Sequence, residues 1–281
     1  MSTSRASTMS LEEVLPVGAN MQRRSMLVGA GMKMYLTRAE LEDWLAGCAG
    51  WTEGTSGVEL FFLPSFPYLP IVAERLHGSK LGYGAQNMHW EDRGAYTGEV
   101  SPIMLKDFGV RYVELGHAER RRDFNETNVT VNLKVRAALS HALVPVICVG
   151  EDQQDAPRAD SWLRDQVLGA LEGVEQADLA AVVIAYEPVW AIGVTSAAAP
   201  DYVFERHRAI RVALAERYGS ELARAPRIIY GGSVTTDNAS ELLHHEEVQG
   251  LFVGRAALDA GRFRHIVSLA QDVHRGRPSS K

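Results

Sequence analysis

Three short stretches each set a potentially reactive side chain at the end of an apolar run: IAYEPVWAIG (184–193) carries Glu187, LGHAERR (115–121) carries His117 and Glu119, and GMKM (31–34) carries Lys33. A carboxylate can take a proton, an imidazole can donate one to an oxygen, and an ammonium can offset negative charge that grows there. Together they could run acid–base chemistry on an anionic substrate. Alone, none is distinctive. A strand-end Lys is usually solvated, a His beside Gly usually satisfies a turn, and Glu119-Arg120-Arg121 reads as a charged helix start. The question is whether the fold brings these strand ends to one place.

Eight apolar runs ending in Gly or polar residues recur along the chain, each followed by a helix-like stretch: MLVGAGMKM, VELFFLPS, LGYGAQN, VRYVELGHAERR, VPVICVGED, AAVVIAYEP, RIIYGGSV and GLFVGRAAL. The run Leu179 to Tyr186 predicts a strand buried on both faces, with Glu187 at its end and Pro188 stopping the ladder. Thr37 with Glu40 predicts a capping box, and Ser101-Pro102 a capped helix start. Strands alternating with helices mean a parallel sheet with crossover connections, and eight units close a (β/α)8 barrel. The whole of 25–281 reads as one domain. In such a barrel the C-terminal strand ends form one surface, which offers Lys33, Gln86, Asn87, His117, Glu119, Glu151, Glu187, Gly231-Gly232-Ser233 and Gly254-Arg255.

Composition narrows the classes. The 281 residues are 46% apolar with a formal net charge of -6, which gives no electrostatic reason to expect nucleic acid or an anionic membrane. No window is apolar for long enough to span a bilayer. Two cysteines, Cys48 and Cys148, make no disulfide framework and suit a reducing, cytoplasmic setting. Residues 1–24, rich in Ser, Thr and Arg without an apolar core, read as a disordered extension or a start set too early, with Met21 or Met26 as later starts. His244-His245-Glu246-Glu247 has metal-ligand residue types, but neighbours on a helix do not share a face, so the run reads as solvated surface. The glycines near Gly29 and Gly31 lack the third position of a dinucleotide fingerprint, and no phosphate-binding loop of the nucleotide type occurs. No cofactor or metal is expected.

From Met26 to the last helix the sequence resembles the triosephosphate isomerases. AYEPVWAIG (185–193) is similar to their base and lid segment, LGHAERR to their imidazole strand end, YGGSV (230–234) to part of their phosphate loop, and GAQNMHWEDRGAYTGEVS (84–101) to their third loop. The resemblance implies an aldose–ketose isomerase of glycolysis and gluconeogenesis. Glu187 would be the base, His117 the donor to the carbonyl and enediolate oxygens, Lys33 the cation, and Glu119 its partner. The resemblance also implies that the imidazole is neutral, held so by a helix N-terminus. Gly193, Ser233, Gly254 and the N–H at Arg255 would bind the phosphate of a small sugar substrate. Thr97, in the protruding third loop, would dock on a second subunit of a homodimer.

The sequence also departs from the family. Gly31-Met32-Lys33 stands where Asn-Trp-Lys is usual, which removes a side-chain amide. Arg255 replaces the second Gly of the eighth loop, Ala118 replaces a Ser, and the lid reads VTSAAAP (194–200). These changes leave the reaction type and open the substrate. Triose phosphate is preferred because the base, lid and phosphate motifs resemble that activity most. The alternative is L-erythrulose-1-phosphate or a related tetrulose phosphate. A catalytically silent binding relative is a third reading, against which the joint presence of Lys33, His117 and Glu187 argues.

Overall fold

The computed structural model describes residues 24–152, 157–193 and 197–277. Eight parallel strands close on themselves: β1 (Met26–Gly31), β2 (Val58–Leu63), β3 (Leu81–Ala85), β4 (Tyr112–Leu115), β5 (Val144–Val149), β6 (Val183–Tyr186), β7 (Arg227–Tyr230) and β8 (Gly250–Val253). Closure comes from β1, which pairs with both β2 and β8. Around the barrel lie α1 (Arg38–Cys48), α2 (Leu69–Arg75), α3 (Pro102–Asp107), α4 (Ala118–Asp123), α5 (Asn128–Ser140), α6 (Ala159–Ala170), α7 (Pro200–Tyr218), α8 (Ala239–His244) and α9 (Ala260–Gly276). Among the described residues no helix is long and apolar enough to cross a membrane.

The strands are apolar at consecutive positions because both faces are buried. Residues pointing inward, among them Leu27, Phe61, Tyr112, Cys148, Ile229 and Phe252, form a core inside the barrel. The alternate residues, such as Val28, Phe62 and Val113, pack outward against the helices in a second, larger core. Space inside is tight. The ring of Phe61 stacks between Tyr112, 4.5 Å away, and Phe252 at 5.7 Å. A Cβ on Gly29 would lie 2.2 Å from the Phe61 ring, so only glycine lets this aromatic layer form.

The expected caps are present. Thr37 accepts from the Glu40 N–H while the Glu40 carboxylate accepts from Thr37, and Ser101 accepts from the Met104 N–H ahead of Pro102. The sixth strand is shorter than its apolar run. Gln176–Ala181 is a 3-10 turn, and pairing with β5 begins only at Val183. Leu179 is buried there as a plug under the strand, which gives the run its strand-like composition without strand pairing.

Two further expectations meet the structure. Residues 1–23 of the expected extension lie outside the described residues, whereas Arg24 donates to the Ala225 carbonyl at 2.6 Å. The run His244 to Glu247 is only half a solvated surface. His244 and Glu246 are exposed, but His245 stacks on Phe204 at 4.2 Å, and Glu247 accepts at 3.2 Å from Arg211, which is itself buried. Arg211 also donates to the carbonyls of Ala223 and Pro226, so Glu247 belongs to a network that anchors α7. The chain direction changes after α8 at His245, whose backbone is extended, so helical spacing does not apply to the last two residues.

Candidate active site

One cavity of about 250 Å³ opens at the C-terminal ends of the strands, and its lining includes Gly31, Lys33, Glu114, His117, Glu187, Gly193, Ser233, Gly254 and Arg255. Residues up to 224 positions apart in sequence thus share one site, because all but Glu114 and Gly31 follow strand ends.

Glu187 follows β6, with its N–H bonded to the Val149 carbonyl at 2.8 Å. Its carboxyl group runs over Gly231, where a Cβ would lie 2.7 Å from Cγ and Oε1, so the glycine after β7 is what admits the side chain. The carboxyl is buried, and burial pushes its pKa well up; ionisation of Glu114 would push it further, and Lys33 opposes. Oε2 has no hydrogen-bond partner among the described residues, and it lies 3.3 Å from Nε2 of His117. A carboxylate so deprived of donors is a strong proton acceptor.

His117 caps α4. Its Nδ1 accepts the Glu119 N–H at 3.1 Å. A ring nitrogen that accepts carries no proton, so in the neutral ring the hydrogen sits on Nε2 and faces Glu187 and the cavity. Burial first, and then the neighbouring Lys33, push the imidazole pKa down to about 4, so the ring is a neutral donor near pH 7. Beneath it a buried network fixes the end of β4. Glu126 accepts from Arg120 and from Lys134 and takes the Gly116 N–H at 3.2 Å, while Arg121 donates to the Gly116 carbonyl at 2.7 Å.

Lys33 adopts φ of 47°, a left-handed backbone that costs a non-glycine residue about 1–3 kcal/mol. Its carbonyl accepts from Ser65 Oγ at 3.0 Å and from Gln86 Nε2 at 2.9 Å, contacts that hold the conformation. Its ammonium lies 2.7 Å from Glu119 Oε1. The two partners expected from the sequence are therefore neighbours.

At the mouth, Gly193 (φ 71°), Ser233, Gly254 and Arg255 line the cavity together. Arg255 opens a 3-10 turn that follows Gly254, at which a Cβ would meet nothing within 4 Å. The Arg255 side chain, although exposed, has a partner across the cavity. It donates through Nη2 to the Gly193 carbonyl at 2.8 Å and so links the eighth loop to the lid segment. Of the lid itself, 194–196 lie outside the described residues. Thr97 is exposed in a loop away from this cavity, ordered at its base by the His89 N–H to Val100 carbonyl bond of 2.8 Å and by His89 stacking on Trp90 and Tyr96.

Sequence reasoning missed two residues. Glu151, named only as a strand end, is fully buried, and its Oε1 accepts from Tyr186, Trp190 and Tyr202, tying β6, the start of the lid segment and α7 together. Glu114 lies inside the run VRYVELGHAERR. It projects into the barrel from β4 and lines the cavity floor, and a carboxylate inside an otherwise apolar strand was the available signal. Ligand-type atoms of Glu114, His117 and Glu187 lie within 4.8 Å of one another. That donor set could hold a divalent cation, yet the same groups are those proton transfer needs, and the Lys33 ammonium already supplies positive charge beside them.

Residues 26–270 match the family described as Triosephosphate isomerase. A triosephosphate isomerase of Symbiobacterium thermophilum is 44% identical over 252 residues, covering 89% of this chain and 98% of that protein. A triosephosphate isomerase of Chloroflexus aurantiacus is 46% identical, covering 87% and 98%. An L-erythrulose-1-phosphate isomerase of Rhizobium etli is 50% identical over 215 residues, covering 75% and 79%.

Proposed function

The chain belongs to the triosephosphate isomerase family, and from that premise we propose that it interconverts dihydroxyacetone phosphate and glyceraldehyde 3-phosphate. The observation that carries this reading is a Glu187 carboxyl oxygen that makes no hydrogen bond among the described residues yet stands 3.3 Å from Nε2 of His117, in a cavity that Lys33 also lines.

Glu187 takes a proton from the carbon beside the carbonyl. The electron pair of that C–H bond forms the carbon–carbon double bond of an enediolate, and negative charge passes to the carbonyl oxygen. His117 gives its Nε2 proton to the former carbonyl oxygen and takes the proton of the neighbouring hydroxyl, so that a proton shifts between the two enediolate oxygens, and Lys33 offsets their charge. Glu187 then returns the proton to the adjacent carbon. Glu119 acts on both helpers: its N–H fixes the imidazole tautomer and its carboxylate fixes the ammonium. The backbone at Gly193, Ser233, Gly254 and Arg255 binds the phosphate, which needs no cationic side chain when N–H groups converge. In this reading the protein serves glycolysis and gluconeogenesis in the cytoplasm, as a homodimer joined through the loop that carries Thr97.

The reading is tested by incubating dihydroxyacetone phosphate with the enzyme in deuterated water. Formation of glyceraldehyde 3-phosphate with deuterium at the exchanged carbon supports it, since a carboxyl base exchanges its proton with solvent. No glyceraldehyde 3-phosphate refutes it, whereas unlabelled product would show the activity with a base that returns its proton before solvent exchange. A second reading, a tetrulose-phosphate isomerase, is favoured by the Rhizobium etli relative and by Gly31 and Arg255. Comparing kcat/KM for the two ketose phosphates separates them.

A further inference from the structure

The cavity has a mouth and a floor. Gly193, Ser233, Gly254 and Arg255 all follow strand ends and surround the mouth. Glu114 lies within β4, three residues before His117, and its side chain enters from the barrel interior. A substrate whose phosphate is held at the mouth, with its reacting carbons between Glu187 and His117, therefore directs its far end toward Glu114.

Glu114 is poorly served for a buried acid. It is 7% exposed, and its one hydrogen bond among the described residues is from the Cys148 thiol, 3.7 Å from Oε1. The same sulfur lies 3.7 Å from Glu187 Oε1. A thiol carries one proton and is a weak donor, so it cannot satisfy two carboxyl groups. Neither Glu114 oxygen is among the enclosed atoms of the described residues that lack a partner, so the carboxyl opens to the cavity and leaves room there for a polar group that comes with the substrate.

Resting on the isomerase reading above, we propose that Glu114 is a specificity-determining residue that binds a hydroxyl on the carbon beyond the reacting pair. The site then takes a ketose phosphate one hydroxymethyl group longer than a triose phosphate. Desolvation pushes the Glu114 carboxyl up to about 8, so near neutrality it is a neutral acid that can both donate to and accept from a hydroxyl without opposing the enediolate. Lys33 draws its pKa down, whereas Glu119 and Glu126 push it further up.

The test is kcat/KM for L-erythrulose 1-phosphate and for dihydroxyacetone phosphate in the parent, Glu114→Leu and Glu114→Gln. The Leu variant should lower the four-carbon to three-carbon ratio by at least ~10-fold, mainly through KM for the longer substrate, because a site built for a hydroxyl loses most when the partner is removed. Gln, which keeps a donor and an acceptor, should restore most of that ratio. Glu114→Val serves as the apolar variant if the Leu protein does not fold. A purely structural role would lower both activities together and leave the ratio unchanged. An unchanged ratio in a folded apolar variant overturns the proposal, as does a parent that turns over the triose and ignores the tetrulose. A parent that turns over neither compound refutes the isomerase reading itself.

Discussion

The backbone N–H of Glu119 donates to Nδ1 of His117 at 3.1 Å while its carboxylate holds Lys33 Nζ at 2.7 Å, so a single residue orients both an imidazole and a cation in the same cavity. Glu119→Gln keeps the N–H and the shape but loses the charge that positions Lys33. For the triose phosphate, kcat/KM should fall by ~10-fold or more, since a misplaced group costs that much. The thermal midpoint should barely move, because the two side chains are 29% and 41% exposed and such pairs add little stability. A lower midpoint with unchanged kinetics would assign Glu119 to the scaffold instead.

Glu187→Gln preserves volume and removes the proton acceptor. We expect kcat to drop by at least ~100-fold while the affinity for a phosphate-bearing inhibitor, measured by calorimetry, stays close to that of the parent. Activity within a few-fold of the parent would mean that another group is the base.

Much of this was legible in the sequence, for identifiable reasons. Strands buried on both faces announce themselves as apolar runs, and side-chain caps such as Thr37 and Ser101 are local, so both could be read without the fold. The limit at β6 arose because Leu179 is buried in a 3-10 turn, and burial alone does not distinguish a plug from a strand. The direction in which Glu114 points was hidden for a different reason, although a carboxylate inside an apolar run stands out in the sequence. Only the barrel's closure decides that Tyr112 and Glu114 face inward while Val113 faces the helices, and strand composition with both faces buried carries no parity signal. The contact of Arg255 with Gly193 spans 62 residues between two loops, and nothing in either loop predicts it.

That loop-to-loop contact has a kinetic consequence. Arg255→Gly removes the guanidinium donor to the Gly193 carbonyl and loosens the lid segment from the eighth loop. If closure shields the enediolate, the variant should release more inorganic phosphate per turnover through elimination, and KM should rise by roughly 10-fold. The measurement is phosphate release against product formation in the same reaction. An unchanged ratio of the two would show that this contact is not part of the shield.

The buried Glu114 carboxyl gives stability a pH dependence. Its folded-state pKa is raised from 4.5 to about 8, so between these values the folded protein keeps a proton that the unfolded chain has released. The folded state binds more protons in that window, and stability therefore falls as pH rises through it. Glu114→Leu should remove this slope and raise the thermal midpoint, by more at ~pH 9 than at ~pH 5, with a gain on the order of a few kcal/mol at the alkaline end. Melting curves of parent and variant across that range check it. Parallel curves would mean that Glu114 ionises freely in the folded protein.

Restoring the amide that the family usually carries at the end of the first strand meets an obstacle that the structure makes explicit. A Cβ at Gly31 would lie 3.2 Å from the Phe252 ring, and that ring is itself stacked on Phe61 inside the barrel, so it has little room to yield. Gly31→Asn alone should therefore lower the thermal midpoint, as overpacked cores do at a cost of about 1–3 kcal/mol. Adding Phe252→Leu removes the crowding ring and should recover part of that loss. With the clash relieved, the amide would occupy space that a longer substrate needs, and the four-carbon to three-carbon ratio of kcat/KM should shift toward the triose by roughly 10-fold. Should the double variant regain stability while the ratio stays put, the space at Gly31 plays no part in substrate choice, and the selectivity would have to rest on Glu114 alone.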